Sequence, residues 1–279
     1  MKNKWIFRWS VRIVIVLWVL WGNFVPIATR ITVTDPDVPA GFDGFRIVQV
    51  SDLHNAEFGK DHERLLKLIQ KAEPDIIAIT GDLVDSYHTN VEVALAFIAQ
   101  VVKIAPCYYV TGNHEGSLSE YRELKKALDN YGVTILENRK VTLERNGSKI
   151  NLQGIDDPYV CNDGIIGEAN AVAKARLKAL EIDQSQFNIL LSHRPDMADA
   201  YNESGVDLVL SGHVHGGQFR VPFLGGLYAP GQGLWPEYDG GVYELGQTTM
   251  IVSRGLGNSS FPLRLNNNPE ILVITLQLQ

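Results

Sequence analysis

Five short motifs carry the side chains most able to do chemistry. They are Asp52-Leu53-His54, Gly81-Asp82-Leu83-Val84-Asp85, Gly112-Asn113-His114-Glu115, Ser192-His193 and Gly212-His213-Val214-His215. Five of the chain's 7 histidines lie in them. Carboxylate, amide and imidazole donors suit hard-to-borderline divalent cations. No cysteine takes part, which argues against a structural zinc site or an iron–sulfur cluster. The donor set predicts two metal ions side by side in a hydrolytic site.

Each motif follows an apolar, strand-like run. Ile47–Val50 delivers Asp52, Asp75–Thr80 delivers Asp82, and Tyr108–Val110 delivers Asn113 and His114. Phe187–Leu191 delivers His193, and Val206–Leu210 delivers His213 and His215. Helical spacing recurs between the runs, over Asp61–Ala72, Val91–Val102, Ser119–Tyr131 and Glu168–Leu180. Lys140–Leu143 and Lys149–Ile155 alternate and read as half-exposed antiparallel strands. Gly216–Gly241 is too rich in Gly and Pro to be one regular element, and Gly246–Arg254 and Glu270–Leu278 close the chain as strands. Strands alternating with helices imply a layered α/β fold. Polar residues just past buried strands match the rule that ligands bind at strand carboxyl ends. His62 and His88 fall outside the motifs and are expected to face solvent.

The 279 residues suffice for one sizeable α/β domain. Net charge is −7. The only charges before residue 30 are Lys2, Lys4, Arg8 and Arg12, so the remaining body is more acidic still. An acidic body disfavours nucleic acid as a partner. Bound cations would reverse that field locally and admit phosphate substrates. Cys107 and Cys161 are expected to be free thiols.

Ile13–Ala28 is uncharged, is preceded by basic residues, and has Trp5, Trp9, Trp18 and Trp21 in or near it. This fits a signal peptide or a signal anchor. The poor small-residue pattern at Pro26-Ile27-Ala28 favours an uncleaved anchor; a cleaved leader would give a secreted protein. The expected organisation is a membrane segment over 1–30, a linker over 31–44 and a catalytic domain over 45–279. Basic residues at the amino terminus place it in the cytoplasm and the domain on the outer side of the cell membrane, single-pass.

Taken together, D-x-H, G-D-x-x-D, G-N-H-E, a lone His and G-H-x-H resemble the calcineurin-like metallophosphoesterase superfamily. The Gly212–Pro222 stretch is similar to its membrane-associated bacterial branch of YkuE- and YaeI-type phosphodiesterases. The resemblance implies two mixed β-sheets packed as a sandwich flanked by helices. It implies that Asp52, His54 and His215 hold one metal, that Asn113, His193 and His213 hold a second, and that Asp82 bridges them. Mn, Fe, Zn, Co or Ni would serve, with Mn favoured. A hydroxide shared by the ions would attack phosphorus in line, and His114 would protonate the leaving oxygen or stabilise its charge. Asp85 and Glu115 are expected to orient ligands or loops. Arg254 either touches substrate phosphate or is structural.

The expected substrate is a phosphodiester or pyrophosphate, lipid- or envelope-linked, with hydrolysis of a UDP-diacylglucosamine-like lipid as one alternative. Phe219, Phe223, Leu224, Leu227, Tyr228, Leu234 and Trp235 would line an acyl groove or pack the long loop on the core. A non-catalytic metal-binding scaffold is the reading from another class. It would require lost ligands, and every motif is intact. Oligomeric state is not legible.

Overall fold

The computed structural model describes residues 2–160, 164–165, 167–258 and 261–279. An amino-terminal helix, α1 (Lys2–Phe24), leads after two residues into β1 (Ile27–Asp35). Then come β2 (Arg46–Val50), α2 (Glu63–Ala72), β3 (Ile76–Thr80), α3 (Val91–Val101), β4 (Cys107–Val110), α4 (Asn113–Gly116), α5 (Tyr121–Asn130) and β5 (Thr134–Ile135). The second half comprises β6 (Arg139–Arg145), β7 (Ser148–Gly154), α6 (Ala169–Ala179), β8 (Phe187–Leu191), α7 (Ala198–Ser204) and β9 (Leu208–Ser211). Two tiny ribbons follow, β10 (Arg220–Val221) with β11 (Gly225–Gly226) and β12 (Tyr228–Ala229) with β13 (Gly233–Leu234). β14 (Gly241–Leu245), β15 (Thr248–Val252) and β16 (Glu270–Leu278) end the chain.

Two six-stranded sheets form, ordered β1-β16-β2-β3-β4-β5 and β14-β15-β9-β8-β7-β6. Both are mixed. β2 to β5 run parallel while β16 opposes β2; β7, β8, β9 and β15 run parallel while β6 and β14 are antiparallel edges. The central strands are apolar on both faces, because each sheet is covered twice. Ile47, Ala78, Ile189 and Leu210 meet between the sheets. Val48, Ile77 and Ile79 face the other way, onto α2, α3 and α5 through Leu65, Phe97 and Leu124. Leu190 and Val209 turn outward onto α6 and α7 through Leu177 and Tyr201. The architecture is therefore the sandwich of mixed sheets with flanking helices.

Several expectations need amendment. Residues 27–35 are a strand paired in parallel with β16 from Ile27↔Glu270 to Asp35↔Leu278, so a boundary after Arg30 cuts through sheet and 31–44 is not simply a linker. β6 and β7 pair antiparallel as expected, but β7 is buried and also pairs with β8 in parallel, so of the two runs β6 is the half-exposed edge. His62 is buried, its ring 5.6 Å from Phe97, whereas His88 is exposed. Cys107 is a buried free thiol; Cys161 lies outside the described residues.

The span Lys4–Phe24 is long and apolar enough to cross a membrane, and only 6% of it is buried against the rest of the chain. Its carboxyl end is fastened to the domain. Asn23 donates to Arg264 O (2.9 Å) and accepts from Arg264 N (2.7 Å), and Asn268 donates to Trp21 O (3.2 Å). A chain beginning at Pro26 is expected to remain folded, losing these bonds and the one from Asn268 to Val25 O (3.4 Å) at about 1 kcal/mol each. A chain beginning at Pro36 lacks β1, bares the edge of β16, and is expected to melt lower and aggregate. Thermal unfolding with light scattering checks both.

Candidate metal centre

The loops after β2, β3 and β4 of one sheet and after β8 and β9 of the other converge at one end of the sandwich. They bring Asp52, His54, Asp82, Asn113, His193, His213 and His215 together. Three donor groups arise, Asp52–His54–His215, His54–Asp82–His114 and Asp82–His193–His213, the ligand atoms of each within 4.8 Å of one another. Asp82 is central: its Oδ2 lies 3.5 Å from His54 Nε2 and 3.1 Å from His193 Nε2. Asn113 Oδ1 sits 3.2 Å from His193 Nε2, and His213 Nδ1 is 3.2 Å from the same nitrogen. His215 Nε2 is 3.7 Å from Asp52 Oδ1.

The backbone bends hard to achieve this. Asp52, His54, Asp82, His213 and His215 all have positive φ, between 44° and 71°. Non-glycine residues avoid this region at about 1–2 kcal/mol each, and such strain concentrates at functional sites. Glycines clear the space. A Cβ on Gly112 would overlap the Asp82 carboxylate, and one on Gly212 would overlap Ser51 Oγ.

Burial disfavours charge on every group here, so neighbouring charges decide the outcome. Around His213 and His215 burial dominates and pushes the imidazoles down, His215 to about 3. Around His193 burial is outweighed by the Asp82 carboxylate, which pushes it up to about 10. His54 is likewise raised against burial, by Asp52 and Asp82. Burial opposes the Asp52 and Asp82 carboxylates too, yet the surrounding histidines hold both below the usual range. The carboxylates thus set a field that holds positive charge among the rings.

The donors fit metal ions. His54 is buried and, among the described residues, neither of its ring nitrogens has a hydrogen-bond partner. It faces Asp52, Asp82 and Asp85 at 3.9, 3.5 and 3.6 Å. Buried unpaired nitrogens ringed by carboxylates call for a bound cation. Second contacts aim the rings, as metal ligands require: His193 Nδ1 is 2.7 Å from Thr80 O, and His215 Nδ1 is 3.2 Å from Gly257 O.

His114 differs from the others. The Ser86 backbone N–H donates to its Nδ1 at 3.0 Å, so in the neutral ring the proton sits on Nε2. Its ring lines the cleft beside Asp82 and Asn113. Glu115 is a buckle. Its Oε2 accepts the N–H groups of Asp82 (2.8 Å) and Gly112 (2.7 Å), and its Oε1 that of Leu83 (2.8 Å). Burial and repulsion by Asp82 push the Glu115 carboxyl up to about 7, against the pull of the Gly112 and Asp82 amides. Asp85 accepts from the Tyr87 and His88 amides while facing His54. Arg254 is taken up by Glu270 and Thr29, away from the cleft.

A cleft of ≈ 590 Å³ opens from the candidate metal ligands. Arg194 enters it, held by Asp157 (Nε to Oδ2, 2.6 Å) and lying 4.7 Å from the Tyr159 ring centroid. Phe219, Leu227, Tyr228 and Leu234 line its apolar side, Tyr228 and Leu234 from exposed positions at its rim, and Phe223, Leu224 and Trp235 are exposed outside it. The hydrophobic set of the long loop is thus divided between cleft wall and outer surface. Arg194 and Arg264, whose Nη2 is 3.3 Å from His215 Nδ1, do not stand out in the sequence. The adjacency of Arg194 to His193 is the one available signal.

Comparison with known proteins gives this geometry its context. The profile described as Calcineurin-like phosphoesterase matches residues 45–217. The chain belongs to that family. Among similar proteins is the metallophosphoesterase YkuE of Bacillus subtilis (strain 168), 35% identical, with 89% of this chain and 85% of YkuE covered. Phosphodiesterase YaeI of Escherichia coli (strain K12) is 28% identical, covering 83% of this chain and 82% of YaeI. The crystal structure of TT1561 of Thermus thermophilus shares the fold at a TM-score of 0.51 and 18% identity, covering 75% of this chain and 88% of TT1561. The protein is a calcineurin-like, metal-dependent phosphoric ester hydrolase of the YkuE/YaeI type.

Replacing Glu115 by Gln puts an amide donor against backbone N–H groups. It is expected to weaken metal binding about 10–100-fold and to lower stability by about 1–3 kcal/mol. Metal titration and thermal melts measure the two effects.

Proposed function

We propose that the protein is a membrane-anchored phosphodiesterase with a binuclear metal centre. The observation that carries this reading is the position of Asp82 between His54 and His193, at 3.5 and 3.1 Å. Asp52, His54 and His215 would hold one ion, Asn113, His193 and His213 the other, and Asp82 would serve both. The mixed oxygen and nitrogen set, without thiolate, accepts manganese and the other first-row ions; manganese is the favoured choice. When bound, such a pair supplies Lewis acidity toward phosphoryl oxygens and lowers the pKa of water.

The chain's own groups do the rest. His114, held neutral by burial with its proton on Nε2, donates a hydrogen bond from the cleft wall to the leaving oxygen and stabilises its developing negative charge. Arg194 offers positive charge to a non-bridging phosphoryl oxygen. Asp85 and Glu115 hold the loops that aim His54 and Asp82. A diester needs room for a second ester group, and the apolar side of the cleft supplies it. That wall favours an apolar leaving group, as a lipid- or envelope-linked diester, or a lipid-linked pyrophosphate such as a UDP-diacylglucosamine-like molecule, would present. α1 keeps the domain at a cell membrane, and Lys2, Lys4, Arg8 and Arg12 put its amino terminus in the cytoplasm and the catalytic domain outside.

The test is hydrolysis of bis-p-nitrophenyl phosphate and p-nitrophenyl phosphate by the full chain in detergent, after chelation and after Mn is restored. Diester cleavage is expected to vanish on chelation, return with Mn, and be absent in Asp82→Ala, which also loses bound metal; full activity in that variant refutes the binuclear reading. His114→Ala is expected to retain both metals but lose about 10²–10³ in kcat, most for poor leaving groups. Equal losses for good and poor leaving groups, relative to the unsubstituted protein, would remove this role at the leaving oxygen.

A further inference from the structure

Val221 to Trp235 contains no charged residue, although much of it stands at the surface. Phe223 is fully exposed, Leu224 is 68% exposed, Leu234 69% and Trp235 53%. Phe223 sits at the third position of a turn closed by Leu224 N to Val221 O (3.0 Å) after Pro222, with φ of 69°. Glycine or asparagine is the ordinary residue there. Trp235 also has a positive φ, 56°. Two bulky aromatics thus hold a costly backbone at tips where little of the chain packs on them. Exposed apolar side chains clustered on two short ribbons, joined where Trp235 N donates to Leu227 O (2.9 Å), mark a contact with something else.

The position of the tips identifies what that is. Residues 264–268 form one short segment bonded on both sides. On one side Arg264 and Asn268 hold Asn23 and Trp21 at the end of α1. On the other, Leu265 O accepts Arg220 N (3.0 Å), Asn266 donates to Arg220 O (3.4 Å) and Asn267 to Gln218 O (3.2 Å), at the base of the loop. The apolar tips therefore belong to a loop rooted beside the point where the apolar helix meets the domain. Aromatic and aliphatic residues at that level suit a lipid headgroup boundary.

We propose that Phe223, Leu224, Leu234 and Trp235 enter the outer face of the bilayer that holds α1, giving the domain a second membrane contact. This rests on the anchoring reading above. It sets the apolar wall of the cleft, which shares Leu234 with the tips, at the lipid boundary.

The experiment uses the full chain, with Cys107→Ala and Cys161→Ser, in phosphatidylcholine–phosphatidylglycerol vesicles. Single cysteines at Phe223, Leu224 or Trp235 carry a nitrobenzoxadiazole probe, with Val14→Cys in α1 and the exposed Lys178→Cys as references. Loss of fluorescence to shallow doxyl lipids is expected at the three tip positions and not at Lys178. Any one tip variant that fails to fold leaves two to report. Tips as aqueous as Lys178, with Val14 quenched by lipid, overturn the second contact and leave the anchor standing. If Val14 is also aqueous, both readings fall. Tips shielded from iodide but not quenched by doxyl lipid overturn it as well, and assign the surface to a second copy or another protein.

Discussion

Buried like charge is the constraint from which the rest follows. Asp52, Asp82 and Asp85 are all buried around one imidazole, His54. Carboxylates so placed require compensating positive charge, because the interior does not solvate them. Protons on His54 and His193 can supply part of it, and divalent ions can supply more. Glu115 shows the same logic one step outward: a buried carboxylate is tolerated beside Asp82 because three backbone N–H groups point into it at 2.7–2.8 Å.

That demand shapes the backbone. A strand that ran straight would carry its next side chains alternately to the two faces of the sheet, not forward from its end. The left-handed residues after β2, β3 and β9 turn the chain so that carboxylates and imidazoles project beyond the sheet. Parallel neighbours β2 and β3 make this turn side by side, β4 instead feeds Asn113 and His114 through the short helix α4, and β8 and β9 meet them from the other sheet. The tight spacing is available only because Gly112 and Gly212 have no Cβ to collide with Asp82 and Ser51. The sandwich core supplies the rigidity that keeps strained loops in place.

How much of this the sequence discloses depends on whether a residue's role is local. The five motifs are legible because each combines a glycine or aspartate turn with a donor directly after an apolar run. The central strands are legible because burial on both faces leaves continuous apolar stretches. β1 is not, since Ile27–Asp35 is mostly half-exposed and becomes a strand through its partner β16, more than two hundred residues away. The seven-residue α7 is too short for a periodic signal. His62 is polar in sequence and buried in the fold because Phe97 packs against it. Arg194, Arg254 and Arg264 illustrate the same limit. An arginine's function depends on which partner folds across from it, and Glu270, not a phosphate, takes Arg254.

Arg264 also joins two parts of the molecule that look independent in the sequence. Its backbone N and O are both engaged by Asn23 at the end of α1, while its guanidinium reaches His215 Nδ1 and Gly257 O at the candidate metal site. Only Val25 and Pro26 separate α1 from β1. These connections hold the helix end in a defined register with the sheet. Arg264 is fully buried and its side chain also donates to Arg254 O and Asn258 Oδ1, so it is a fixed strut rather than a mobile surface group. The geometry that orients His215 is therefore continuous with the geometry that seats the apolar helix.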